Sequence, residues 1–427
     1  MNLTHLLYDS LMRAAVPAYL LRLLWRGRRE PPYRQALGER LGFYRSTPSS
    51  GWLWVHAVSL GETRAAAALV QALRAQQPGL RLLLTHGTAT GRDAGRALLK
   101  DGDRQAWLPW DTPGAVRRFL AHHRPHVGVL METEVWPNLL RAARAQAVPM
   151  VLASARLSER SLRRGQRVAA LIHPAMASLA AVLAQSPADA QRLRQAGAPE
   201  PAICGNLKFD MTPAPDALAQ GRGWREQAAR PVVLAAVTRE GEEPPLLAAW
   251  HELPAPRPLL VVVPRHPQRF DAVADAVLDA GFTLSRRSAW QGPPDAAALQ
   301  ADVWLGDSMG EMPAYYAAAE LALLGGSFAP LGGQNLIEAA ACGCPVLMGP
   351  HTFNFAEASD LALAAGAAAR VPDLPQAVQQ AQAWLQQPAT LAAMRHAALA
   401  FAQAHRGAAS RMAGRIRAIG APPPPEG

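Results

Sequence analysis

From residue 52 onward, apolar runs of strand length alternate with Ala/Leu-rich stretches: WLWVHAV (52–58), RLLLTHG (81–87), HVGVLM (126–131), PMVLASA (149–155) and LAAVLAQS (179–186). Runs that are apolar at nearly every position need cover on both faces, which predicts parallel strands joined by crossover helices. The segment MTPAPDALAQGRGWREQAARP (211–231) breaks this alternation with Pro, Gly and charge and reads as a linker. A second series follows: VVLAAV (232–237), LLVVVP (259–264), ADVWLG (301–306), LALLGGS (321–327) and PVLMGP (345–350). Helices are predicted at 374–386 and 390–417, and APPPPEG (421–427) reads as a disordered tail.

The two series open alike. WVHAVSLGET (54–63) and VLAAVTREGEE (233–243) each run from a strand through a small hydroxyl residue to Gly-Glu at a helix start. The predicted class is therefore α/β, with two Rossmann-like domains facing a central cleft: residues 30–210, the linker 211–231, and residues 232–420. In open α/β sheets, ligands sit beyond the carboxyl ends of the strands, so the loops there are where chemistry is expected.

Ahead of both series, LTHLLYDSLMRAAVPAYLLRLLWR (3–26) is apolar at helical spacing, but Asp9, Arg13, Pro17 and Arg22 interrupt it. It falls short of the roughly 20 apolar residues of a spanning helix. Arginines follow it and no small-residue cleavage site does, which argues against a removable signal peptide. Two readings stand for residues 1–29: a helix lying in an anionic membrane surface, or a helix packed on its own domain.

Half of the 427 residues are hydrophobic and 18% are charged, which excludes disorder as the main state. The formal charge of +10 favours anionic partners, and only Lys100 and Lys208 are lysines. Basic residues are dispersed without interleaved aromatics, so nucleic acid is excluded as a partner. Cys204, Cys342 and Cys344 form no C-x-x-C pair, and the histidines lack metal-ligand spacing, so no metal and no cofactor is expected.

Ser59-Leu60-Gly61-Glu62 lies at a strand-to-helix turn, where glycine permits a tight bend and helix amides are free to meet an anion. Glu62 is read either as a general base or as an acidic residue favoured in any first helical turn. Glu132 and Glu134 follow HVGVLM, and Arg156 follows PMVLASA. The two carboxylates serve the acceptor, position Glu62, or cap and pair as ordinary surface groups. In the second half, Arg265 and His266 form a candidate phosphate clamp between two prolines. Gly306, Met309 and Glu311 stand in the next loop, Gly326 and Ser327 end LALLGGS, and Gly333 opens a helix with Asn335 and Glu338 three residues apart on one face. Loops of this kind at successive strand ends point to a nucleotide-sugar site.

HAVSLGET, METEVWPN, ASARLSERS, GNLKFD, PRHPQRF, GDSMGE, GGSFAPLGGQN and EAAACGCPVLMGPHTFNF, in this order, resemble the bacterial 3-deoxy-D-manno-octulosonic acid (Kdo) transferases of lipopolysaccharide assembly, over about residues 30–370. The resemblance implies a GT-B fold, CMP-Kdo as donor, a lipid A precursor as acceptor, no metal, and attachment to the cytoplasmic face of the inner membrane. It places the catalytic base on Glu62 and the nucleotide-binding loops on Arg265, Met309, Asn335 and Glu338. Lys208, in GNLKFD, is assigned to the donor carboxylate, to a lipid phosphate, or to the surface. The rival reading is a nucleotide-sugar epimerase of the same architecture, which has no need of a basic amphipathic N-terminus and acts without an acceptor.

Overall fold

The structure is a computed structural model and describes residues 3–420. The tail expected at 421–427 lies outside them. Two compact units emerge, Met1–Asp210 joined by Arg406–Gly427, and Met211–His405.

The first unit holds a seven-stranded, all-parallel sheet built from β1 (Trp52–His56), β2 (Leu82–His86), β3 (Arg104–Trp107), β4 (Pro125–Met131), β5 (Met150–Ala155), β6 (Ala181–Ala184) and β7 (Ala202–Ile203), in the order β3-β2-β1-β4-β5-β6-β7. Alternate residues of a strand point to opposite faces. Thus Leu53 and Val55 enter one buried cluster with Leu69 and Leu73, while Trp52 and Trp54 enter another with Phe119 and Leu152. This double burial is why the strands read as unbroken apolar runs.

The second unit repeats the plan with β8 (Val232–Thr238), β9 (Leu259–Pro264), β10 (Leu284–Arg286), β11 (Val303–Leu305), β12 (Leu321–Leu324), β13 (Val346–Met348) and β14 (Ala368–Arg370), ordered β10-β11-β9-β8-β12-β13-β14 and parallel throughout.

Three boundaries differ from the sequence reading. Residues 211–231 are not an irregular linker: Pro215–Ala228 is a helix of the second unit, with Trp224 buried and Gly221 so close to the Ala314 carbonyl that a Cβ would lie 2.0 Å from it. The helix predicted at 390–417 is two, Pro388–Ala404 and Ala408–Gly420, separated where Gly407 takes φ +95°. The second of these belongs to the first unit, not to residues 232–420: Met412, Ala413 and Ile416 are buried with Leu69 and Leu73. The Asp210 carboxylate caps it by accepting from the Gly407 and Ala409 amides, both at 2.6 Å.

The N-terminal stretch is also two helices, Leu3–Ala14 and Val16–Arg26. On the inner side the first helix docks through polar groups: Tyr8 Oη donates to Asp111 (2.8 Å), Arg141 pairs with buried Asp9 (2.9 Å), and Trp110 Nε1 donates to the Met12 carbonyl (2.9 Å). The second docks through apolar ones, Leu23 buried with Tyr33 and Ala89, and Tyr19 stacked on Trp110. The outer side of the two carries Leu3, Leu6, Leu7, Leu11, Leu21, Leu24 and Trp25, all 41–68% exposed. In the first helix this inverts the usual arrangement of a surface helix, whose apolar side faces the core. Among the described residues, no helix is long and apolar enough to cross a membrane.

Candidate functional site

In the first unit the ends of β1, β4 and β5 bring together Glu62, Glu132, Glu134, Arg156 and Lys208. Ser59 caps the helix Leu60–Gln76 and its hydroxyl donates to Glu62 Oε1 (3.1 Å), while Glu62 Oε2 accepts from the Val58 amide (2.8 Å). This geometry meets the reading of Glu62 as an acidic residue of the first helical turn. The S-x-x-E pattern forms a box that satisfies the helix start, and the same contacts hold the carboxylate in one orientation. Burial raises its pKa above the ordinary value, opposed by the Val58 amide, with the Glu132 charge adding to the rise. Gly61 is not at the bend; it lies in the first helical turn, and a Cβ there would point into open space.

Glu132 is held at φ +57°, an unusual conformation for a side chain larger than glycine, and Ser154 across the strand pair has φ +51°. Glu132 pairs with Arg156 Nε (2.9 Å) and with Lys208 Nζ (3.5 Å). Lys208 is thus not a surface lysine: its side chain is mostly buried, and burial lowers its pKa against the pull of Glu132. Glu134 differs from both neighbouring glutamates. Burial, and next the charge of Glu62, push its pKa up to about 7, while the Trp136 indole opposes the rise.

Two histidines unremarked in the sequence lie beneath this cluster. His56 Nδ1 meets Thr85 Oγ1 (2.9 Å) and His86 Nδ1 meets the Ala57 carbonyl (3.0 Å). Burial lowers their pKa values to about 3 and about 4, so they stay neutral and fix the strand ends. Their signal was a histidine ending each of two adjacent apolar runs, WVH and LTH.

In the second unit the predicted loops gather at the ends of β8, β9, β11 and β12. Arg265 is exposed at the end of β9, its amide bonded to the Thr238 carbonyl (2.9 Å). His266 lies beside it, its pKa lowered by burial and then by Arg239 and Arg265. Gly306 is required by packing, since a Cβ would lie 2.6 Å from Val263. Met309 stands 65% exposed at the tip of its loop, while Glu311 is paired with Arg287 (2.8 Å). Gly326 and Gly333 both have positive φ, +67° and +74°, and the Gly333 amide donates to the Gly326 carbonyl (2.7 Å). Ser327 is fully buried: its hydroxyl donates to the Leu324 carbonyl and accepts from the Gly349 amide, tying two loops together. Asn335 caps the short helix Leu336–Ala341 by accepting from the Ile337 amide (3.2 Å), and Glu338 is half-buried in its first turn.

Sequence reading passed over two residues here. Glu242 is buried and accepts from the Arg239 and Gly326 amides (2.8 Å each) and from those of Phe328 and Ala329 (3.3 and 3.4 Å). It therefore shapes the glycine turn from a distant point in the chain. Arg239 packs beside that turn, 3.4 Å from where a Cβ on Gly326 would sit, and its charge is felt by His266 beside Arg265. The signal for both was TREGEE itself, in which Glu242 matches Glu62 of SLGET and an arginine follows the hydroxyl residue where SLGET has a leucine. Cationic side chains around glycine-bearing turns suit a ligand carrying phosphate or carboxylate.

The family model described as 3-deoxy-D-manno-octulosonic-acid transferase (kdotransferase) matches residues 35–211. A 3-deoxy-D-manno-octulosonic acid transferase of Bordetella pertussis is 51% identical over 382 residues, 87% of this chain and 88% of the relative. Among solved structures, Anabaena HepE in complex with UDP aligns over 86% of this chain and 99% of its own, with TM-score 0.59 and 14% identity. A UDP-GlcNAc 2-epimerase from Neisseria meningitidis aligns over 85% of this chain and 98% of its own, with TM-score 0.56 and 16% identity. Likeness at that level establishes the two-domain fold shared by glycosyltransferases of the GT-B type and such epimerases, and does not separate the two activities. The identity over nearly the whole length does separate them, and the chain belongs to the 3-deoxy-D-manno-octulosonic acid transferase family.

Proposed function

We propose that the protein moves Kdo from CMP-Kdo to a hydroxyl of a lipid A precursor (lipid IVA) at the cytoplasmic face of the bacterial inner membrane, without a metal and with inversion relative to the donor. The observation that carries this reading is Glu62, a partly buried carboxylate with a raised pKa, aimed by the Val58 amide and Ser59 at a strand end. Glu62 takes the acceptor proton as the hydroxyl oxygen bonds to the anomeric carbon from the face opposite CMP. The bond from that carbon to the phosphate oxygen breaks, and CMP leaves with the electron pair. Arg265 and Arg239 answer the charge on the departing phosphate, the task a metal ion would otherwise perform.

The test is incubation with CMP-Kdo and a tetraacyl lipid A precursor in the presence of a chelator, read by mass spectrometry. Acceptor mass rising by whole Kdo units is expected. Unmodified acceptor, or activity restored by Mg²⁺ alone, overturns the respective part of the reading, and conversion of a UDP-sugar without acceptor would support the epimerase instead.

Membrane attachment is supported by the exposed leucines of residues 3–25 together with Arg13, Arg22, Arg28 and Arg29, all exposed. Leu7 and Leu11 are each 62% exposed, so replacing both with Glu leaves the docked side intact. This variant should keep its melting temperature yet lose flotation with anionic vesicles. Unchanged flotation would leave these helices as ordinary packing.

A further inference from the structure

Beside the carboxylate cluster the first unit contains a cavity of about 300 Å³ to which neither the base nor the donor loops contribute. Its deep walls are Leu152, Leu162, Met176, Leu193 and Ala196, all buried. No carboxylate lines it, and it offers no cluster of ligands for a cation and no pair of rings for a base. Thr133 and Arg156 also line it: Thr133 lies between Glu132 and Glu134 in the chain, and Arg156 is the partner of Glu132. Ile172 and Met176 come from the helix Ala169–Ala177, which packs against the N-terminal helix Leu3–Ala14 with its exposed leucines. The helix Glu159–Gln166 turns Leu162 and Gly165 to the cavity and exposes Arg160, Arg163 and Arg164.

We propose that this cavity receives one acyl chain of the acceptor lipid and so positions the acceptor's head group against the carboxylate cluster. The inference rests on the reading of the acceptor as an acylated, anionic lipid. Three features select that occupant over other apolar ligands. The interior is apolar and of a size that takes a ligand of modest volume. Exposed arginines on the adjoining helix match phosphate on the same molecule. The cavity wall is continuous with a helix whose apolar side has no cover, which suits a chain that passes from a bilayer into the protein. Seating the chain restricts the head group before reaction, which lowers the entropic part of the barrier.

Gly165 supplies the cleanest variant. It lines the cavity within a helix, its φ is not in the left-handed region, and a Cβ there would meet nothing within 4 Å. Gly165→Phe should therefore fill the opening without backbone strain, and Gly165→Ala is the control. With detergent-dispersed acceptors of graded acyl length, the wild-type KM should rise roughly four-fold for each methylene removed. In Gly165→Phe this dependence should flatten, KM for the tetraacyl acceptor should rise at least about ten-fold, and KM for CMP-Kdo and for a deacylated acceptor should stay the same. Equal chain-length dependence in both proteins overturns the proposal. Should Gly165→Phe fail to fold, photo-crosslinking of the wild type by an acceptor with a diazirine near an acyl terminus decides: adducts within 152–176 or 193–196 support the cavity, and adducts confined to residues 3–25 overturn it. A wild type that transfers Kdo to no acceptor would instead defeat the functional reading, and crosslinking by a bilayer phospholipid with the same efficiency would show a general lipid site in place of an acceptor site.

Discussion

Strand Trp52–His56 and strand Val232–Thr238 run into turns of similar sequence, each with a hydroxyl residue and a glutamate opening a helix, yet the glutamates end in different states. Glu62 keeps a partly exposed carboxylate whose pKa is raised. Glu242 is buried and surrounded by amides, and its neighbour Glu243 is clamped by Arg269 through two 2.8 Å contacts. The first unit thus leaves its carboxylate partly exposed with two donors, whereas the second spends its carboxylates on the shape of loops. Like topology and like sequence at a strand end do not imply like chemistry; what decides is how many donors each carboxylate already faces.

The sharpest test of this contrast is Glu62→Gln, which keeps the helix cap because glutamine also fits that position. Turnover should fall by about 10²- to 10⁴-fold with CMP-Kdo affinity unchanged. Near-normal turnover would make the two glutamates alike. Glu242→Ala should do the reverse: the buried Gly326 amide loses its acceptor, at about 1–3 kcal/mol, and three part-buried amides lose less each, so urea unfolding should report a loss of roughly 3 kcal/mol. Full stability after that change would mean the turn holds its shape without Glu242. Arg265→Ala, on the exposed end of β9, should weaken CMP binding by roughly ten- to a hundred-fold in calorimetry while leaving the melting temperature in place.

The smallest effect concerns Glu134. Its folded pKa of about 7 lies above the ordinary value of 4.5, so between those values the folded protein binds more protons than the unfolded chain. Stability from this group is full below about pH 4.5, falls as pH rises, and is lost above about pH 7. Glu134→Gln should therefore gain stability relative to wild type at pH 8 and not at pH 4.5. Equal stability of the two proteins at pH 8 would leave Glu134 with an ordinary carboxylate pKa.

Much of this was readable in the chain. Ten strands announced themselves because burial on both faces leaves no polar position to blur the run. The four passed over, Arg104–Trp107, Ala202–Ile203, Leu284–Arg286 and Ala368–Arg370, have two to four residues each, and only the first has two fully buried positions. Single-sequence patterns carry little signal at that length. Arg239 and Glu242 escaped for another reason: their partners, in the turn 326–329, are more than eighty residues away in sequence, and no local spacing encodes that meeting. The N-terminal stretch was ambiguous because each helix has two sides with opposite tasks, and only the positions of Tyr8 and Asp9 against Asp111 and Arg141 show which side docks.

The return of helix Ala408–Gly420 to the first unit has a consequence for biogenesis. Met412 and Ile416 are among the side chains that seal the core over Leu69 and Leu73. A ribosome delivers residues 3–210 early, but that half stays unsealed until residues 408–420 have been made. The second unit, Met211–His405, contains every strand of its own sheet and can close first. During synthesis the half that bears Glu62 therefore matures after its neighbour, and a nascent chain arrested before codon 408 carries an open apolar seam.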